Sequence, residues 1–270
     1  MAGATALERA LRRDRLIVIG GLAGVVLLAA AYTVLGAGMN MSALTMTRMA
    51  VAMPGMMMQP ASWTPGYALL VFLMWFVMMV AMMVPSAAPT VLLYAGLVRK
   101  RKAAHAPYVP ASVFLAGYLV VWGLFSLIAG ALQWALEQIG LVTGMMELAS
   151  RPLAGAVLVV AGLYQLTPFK AACLRHCQHP LTFLIHHWKP GAGGAFRMGA
   201  ENGVFCLGCC WFLMALLFVG GIMNLFWIAG LAIYVGIEKL AADRPWVTRG
   251  LGGLLIVAGL ATGVAQLLAD

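Results

Sequence analysis

The sequence predicts an all-α protein: a polytopic transmembrane helical bundle of about seven spans, with six as the alternative, and its N-terminus in the cytoplasm. Three observations carry this. Apolar residues make up 63% of the 270-residue chain and charged residues only 9%, against ~25% charged in a soluble domain. The apolar stretches reach ~20 residues, the length that crosses the hydrocarbon of a bilayer. All but two of the 17 Lys and Arg residues, Arg48 and Arg151, fall on one side of the alternating connections. The positive-inside rule assigns that side to the cytoplasm. Such a composition excludes a soluble globule and a disordered chain, and residues 1–270 read as one transmembrane domain in a bacterial cytoplasmic (inner) membrane.

The first span is 16–36. It follows Arg12, Arg13 and Arg15 and so mimics a signal peptide, but its near-full length makes it an uncleaved first helix. Residues 39–60 are less apolar and carry Asn40, Ser42, Thr45, Thr47 and Arg48, so they lie at the interface. Together, 39–62 form a methionine-rich extracytoplasmic segment. Trp63 and Tyr67 fall where an aromatic belt belongs. The second span, 67–98, contains Pro85 and Pro89, which should kink it, and ends on the basic run Arg99, Lys100, Arg101, Lys102. The third span is 108–136 and the fourth, a short one, 153–167. Residues 170–200 read as a long cytoplasmic loop with an amphipathic stretch at 180–188. The fifth and sixth spans, 201–219 and 222–237, hinge on a turn at Gly220 and Gly221. Without that turn the count falls to six. The seventh is 246–268.

The five cysteines form two groups, Cys173 with Cys177 and Cys206 with Cys209 and Cys210. Both lie by topology at the cytoplasmic end, where thiols stay reduced. Positions i, i+3 and i+4 share a helix face, so Cys206, Cys209 and Cys210 point one way from the start of the fifth span. Cys173 and Cys177 do the same from the end of the fourth, with His176 and His179 close by. Thiolates select Cu(I), Zn(II) or iron–sulfur clusters. The expected metal ligands are therefore Cys173, His176, Cys177, His179, Cys206, Cys209 and Cys210, with Arg175 and the positive end of the fifth span's dipole beside them. His105 reads as solvated, and His186 and His187 as interfacial.

Methionine is abundant, with 19 in the chain. Met74, Met78 and Met82, and beside them Trp75, Met79 and Met83, form two stripes at helical spacing along the second span. Such stripes are ordinarily packing. Met53, Met56, Met57 and Met58 lie in the polar outer segment, which needs no core filler. Thioethers bind Cu(I), so Met53, Met56, Met57, Met58, Met74, Met78 and Met82 are weaker candidate sites. Methionine outside and cysteine inside is a ligand division suited to Cu(I), with Zn(II) as the alternative ion.

Three motifs carry a resemblance. They are Met-Trp-Phe-Val-Met-Met-Val-Ala-Met-Met-Val-Pro from Met74 to Pro85, the run from Tyr164 through Thr167, Pro168 and Lys170 to Cys177, and the run from Gly203 through Cys206, Cys209 and Cys210 to Asn224 and Trp227. Together they span roughly 67–239 and resemble a bacterial family of uncharacterised proteins described as predicted metal-binding integral membrane proteins. The resemblance implies a metal site at these cysteines. Members of that family often carry His just before the glycine that opens the fifth-span motif. Here the position is Asn202, which leaves His176 or His179 to complete the site.

Three function classes follow. The first is a membrane protein that handles a soft metal, most readily Cu(I), as carrier, acceptor or assembly factor. The second is a structural or complex-forming subunit pinned by zinc. The third is a membrane thiol–disulfide oxidoreductase using Cys206 and Cys209 or the adjacent Cys209 and Cys210. No hydrolase constellation or phosphate-binding loop with a lysine is present. Glu137, Glu201 and Glu238 fall near helix ends and form no intramembrane relay. The 17 basic against 8 acidic residues show no aromatic-interleaved groove for nucleic acid. The expected partners are the lipid bilayer and a metal-donor or acceptor protein.

Overall fold

The computed structural model describes residues 6–36, 42–52, 62–103, 109–241 and 244–267. It is all-α. Eleven helices follow in order: α1 (Ala6–Val34), α2 (Ala43–Ala52), α3 (Pro65–Ala103), α4 (Ala111–Gln138), α5 (Arg151–Gln165), α6 (Pro168–Gln178), α7 (Pro180–His186), α8 (Gly191–Ala215), α9 (Leu217–Gly220), α10 (Leu225–Leu240) and α11 (Pro245–Leu267). Among the described residues there is no strand, and one isolated bridge joins Val142 to Leu148. Met53, Met56, Met57, Met58 and His105 lie outside the described residues.

Among the described residues, four stretches are long and apolar enough to cross a membrane: Pro65–Arg99, Ala111–Gln138, Gly191–Gly220 and Trp246–Val264. A fifth arises if α5 and α6 cross as one broken unit. The apolar part of α1, Val18–Val34, and the 16-residue α10 are shorter than the ~20 residues of a full span.

Local chemistry sets the breaks. Ser150 caps α5 by accepting from Leu153 N. Thr167 caps α6 through Lys170 N at 3.3 Å, and Pro168 supplies no backbone donor to continue α5. The two helices accordingly meet at 66°. After α9 the chain turns at Gly221, whose φ of +88° is the left-handed conformation glycine adopts without strain. Asn224 then caps α10 at Phe226 N, 3.1 Å away. The turn expected at Gly220 and Gly221 is therefore present. α3 is one continuous helix through Pro85 and Pro89.

The 170–200 stretch departs from the expected loop. It folds as α6, α7 and the first turns of α8. The run Gly191–Ala200 reads as flexible because of its glycines, but Gly199 lets α8 lie directly on α4. A Cβ there would strike the Phe114 carbonyl, and one on Gly117 would sit 2.9 Å from Ala200 N. Small residues that admit a neighbouring backbone are how helices pack without bulk between them. α5 and α11 meet in the same way across Gly155 and Gly259.

The core holds Met74, Met78, Met79, Met82 and Met83 of α3 together with Cys206, Cys209, Cys210 and Cys173. The connection 139–150 folds back onto α9, with Leu148 N donating to Phe218 O at 2.8 Å and Ile222 N to Met146 O at 3.1 Å. Glu137, at the end of α4, is buried and accepts from Trp63 Nε1 at 2.7 Å and Gln133 Nε2 at 2.8 Å. Gln133 in turn accepts from Trp75 Nε1 at 2.9 Å.

Candidate metal centre

Because α8 begins at Gly191, Cys206 lies in the middle of the helix, far from its amino terminus. No helix-dipole end serves the thiols. Their i, i+3, i+4 spacing does give one face, and all three are buried to 2% exposure or less. Cys206 is the hub, its sulfur facing Tyr118 and Lys239, with Cys177, Cys209 and Cys210 near enough to act electrostatically on its thiol. Cys209 Sγ and Cys210 Sγ both donate to Cys206 O at 3.0 Å. Cys173 sits to the side against Gly208, where a Cβ would lie 2.8 Å from its Sγ. α6 thus reaches α8 through a glycine notch, and Cys177, one turn on, meets the triad.

Among the described residues no three His, Cys, Asp or Glu side chains surround one point as a preformed metal site would. Two of the thiols, Cys209 and Cys210, bond to the Cys206 carbonyl.

Two polar partners belong to this cluster that the sequence pattern does not reveal. Lys239 Nζ of α10 lies 3.1 Å from Cys206 Sγ and donates to Ser86 Oγ at 2.8 Å. Tyr118 Oη of α4 lies 3.1 Å from Cys206 Sγ and donates to Met83 O at 3.1 Å. Lys239 supplies the positive charge that a deprotonated sulfur at Cys206 needs, and Arg175 takes no part. The available signal was a lysine directly after a glutamate at the end of an otherwise apolar helix.

The preceding residue does something different. Glu238, 2% exposed, takes both carboxylate oxygens to Lys170 Nζ at 2.6 and 2.8 Å, and Lys170 is fully buried. Gln178 of α6 donates to Glu238 O at 2.8 Å. These bonds tie α6 to α10.

His176 and His187 contact aromatic rings, and these two and His186 contact backbone carbonyls. His176 is rotated off the cysteine face and stacks on Phe205 at 3.9 Å with rings 2° from parallel. It shares an open depression of about 390 Å³ with His179, His186 and His187. Nδ1 of His176, His186 and His187 lies 2.9, 2.9 and 3.1 Å from the carbonyl one turn back. A carbonyl cannot donate, so each Nδ1 carries the hydrogen. Asn202 is buried one turn before Cys206 on the same face. Met74, Met78 and Met82 are buried in the thiol-containing core.

Fold and site together define a helical bundle with a buried thiol cluster backed by one lysine. The chain belongs to the PpoB2 family, described as a copper chaperone, which it matches over residues 72–262. That range contains every cysteine, the α3 methionines, Tyr118 and Lys239. No curated protein and no solved structure matches the chain.

Proposed function

We propose that this protein is an integral membrane copper chaperone that holds Cu(I) on the thiolates around Cys206 and passes it to an acceptor protein. The carrying observation is the packing of Cys209 and Cys210 onto Cys206, with Lys239 3.1 Å from the Cys206 sulfur. A Cu(I) ion on two thiolates carries one net negative charge, and Lys239 cancels it. Four thiolates around Zn(II) beside one lysine would leave a net charge buried, which is costly in a low-dielectric interior. Soft sulfur ligands suit Cu(I). Loading needs only that Cys209 and Cys210 rotate off the Cys206 carbonyl, and S–H is a weak donor.

Membrane insertion is supported by the outer faces of the bundle. Leu28, Ile128, Phe226 and Leu254 are 64–74% exposed, and apolar belts of that kind belong against lipid. We place the chain in the bacterial cytoplasmic membrane with seven spans, the short α1 and α10 included, and Met1 inside. The buried stripe Met74, Met78 and Met82 then gives a thioether route toward the thiols, with Met53, Met56, Met57 and Met58 as capture ligands outside.

The test is elemental analysis of detergent-purified protein kept reduced. Replacing Cys206, Cys209 and Cys210 with serine removes copper. Replacing Met74, Met78 and Met82 with leucine, which keeps most of the packing volume, leaves copper bound and slows its transfer. A folded triple-serine protein that retains copper sinks this reading. Bound zinc, lost together with the fold in that variant, favours a structural zinc site instead.

A further inference from the structure

Away from the thiols, a cavity of about 480 Å³ opens where the α5–α6 break meets the turn into α11. Gln165, Thr167, Arg175, Arg244, Thr248 and Arg249 are among its polar lining, with Gln178 beside them, and none of the described residues lining it is acidic. Three arginines around one cavity, with no acidic residue in its described lining, make a positive concavity. The second observation is independent. Gln165 is 97% buried by its 3% exposure, and among the described residues neither its Nε2 nor its Oε1 has a hydrogen-bond partner. A buried amide left unsatisfied on both atoms is destabilising unless something fills it.

We propose that this cavity binds a phosphate-bearing ligand that also carries a hydroxyl group. Phosphate oxygens take the planar, multidentate donors of Arg175, Arg244 and Arg249, and Gln165 Nε2 donates to one more. A ligand hydroxyl donates to Gln165 Oε1, so that both orphaned atoms are satisfied together. A phospholipid headgroup with a glycerol end and a soluble phosphate ester present the same chemistry. The site is separate from the thiol cluster and does not depend on copper. Only the lipid source depends on the bundle lying in a membrane.

Native mass spectrometry of the full chain in detergent tests this, with phosphatidylglycerol, phosphatidylcholine and glycerol phosphate as probes. The expected result is retention of phosphatidylglycerol over phosphatidylcholine, with binding lost by at least about tenfold in R175A/R244A/R249A, as bidentate charged contacts imply. Q165L, which keeps the shape of the floor, should weaken binding about threefold to tenfold, the range of one hydrogen bond. R197A, outside the cavity, should behave as wild type and serves as the control for general charge loss. Competition by glycerol phosphate at matched concentration identifies a soluble ligand, and its failure while phosphatidylglycerol binds identifies lipid. Equal retention of phosphatidylglycerol and phosphatidylcholine in wild type and in the triple-arginine variant, with no glycerol phosphate bound, overturns the proposal. So does a Q165L protein that binds every probe as wild type does.

Discussion

Glu238 and Lys239 are consecutive residues of α10, yet they serve two different sites. Glu238 meets Lys170 in an ion pair with both partners at 2% exposure or less. Lys239 meets a sulfur and a serine hydroxyl instead. One residue is ~100° around a helix, enough to turn the two side chains to different neighbours. The first pair is closed: two opposite charges satisfy one another, and no ligand is needed. The second is open, because its cation faces a group that is charged only when the thiol has lost its proton. A closed pair is a staple; an open one is a place for a ligand that brings thiolates with it.

The largest expected effect comes from breaking the closed pair. Lys170→Met leaves Glu238 buried without a counter-charge, a loss of about 3–5 kcal/mol, read as a lowered unfolding midpoint in detergent. Lys170→Met with Glu238→Leu should recover much of that loss, and copper per folded chain should not change. If the single variant is as stable as wild type, the staple is misjudged.

Lys239→Met should do the reverse. Stability changes less, and copper affinity falls about tenfold, or ~1.4 kcal/mol, measured by competition with a Cu(I) chelator. An unchanged affinity would make Lys239 a bystander to the thiols.

The smallest effect belongs to His176→Ala. It removes the stack on Phe205, worth about 0.5–1.5 kcal/mol, and leaves copper stoichiometry untouched. A loss of copper would return the imidazoles to the ligand set.

Much of the architecture was legible because long apolar stretches have few ways to fold. The helices, the Thr167-Pro168 break region and the turn at Gly221 all follow from residue chemistry read locally. The 170–200 segment was not legible, since glycine signals both a loop and a close helix contact, and only the position of α4 decides between them. At the site, the cysteine face follows from spacing alone, whereas nearness in sequence says little about where His176 points, and it stacks on Phe205. A residue next to Cys177 is a neighbour along the chain and a stranger around the helix. Lys239, Tyr118 and Ser86 come from three different helices, and no local pattern announces that they meet. The Lys170–Glu238 pair, 68 residues apart, was hidden for the same reason.

The central claim is that copper sits on sulfur alone, around Cys206. X-ray absorption at the copper edge on reduced, copper-loaded protein tests it most directly. The account predicts about one Cu(I) per chain with a first shell of sulfur only, and loss of that signal in Cys206→Ser. Imidazole scattering in the first shell, or an unchanged sulfur shell in Cys206→Ser, would contradict it.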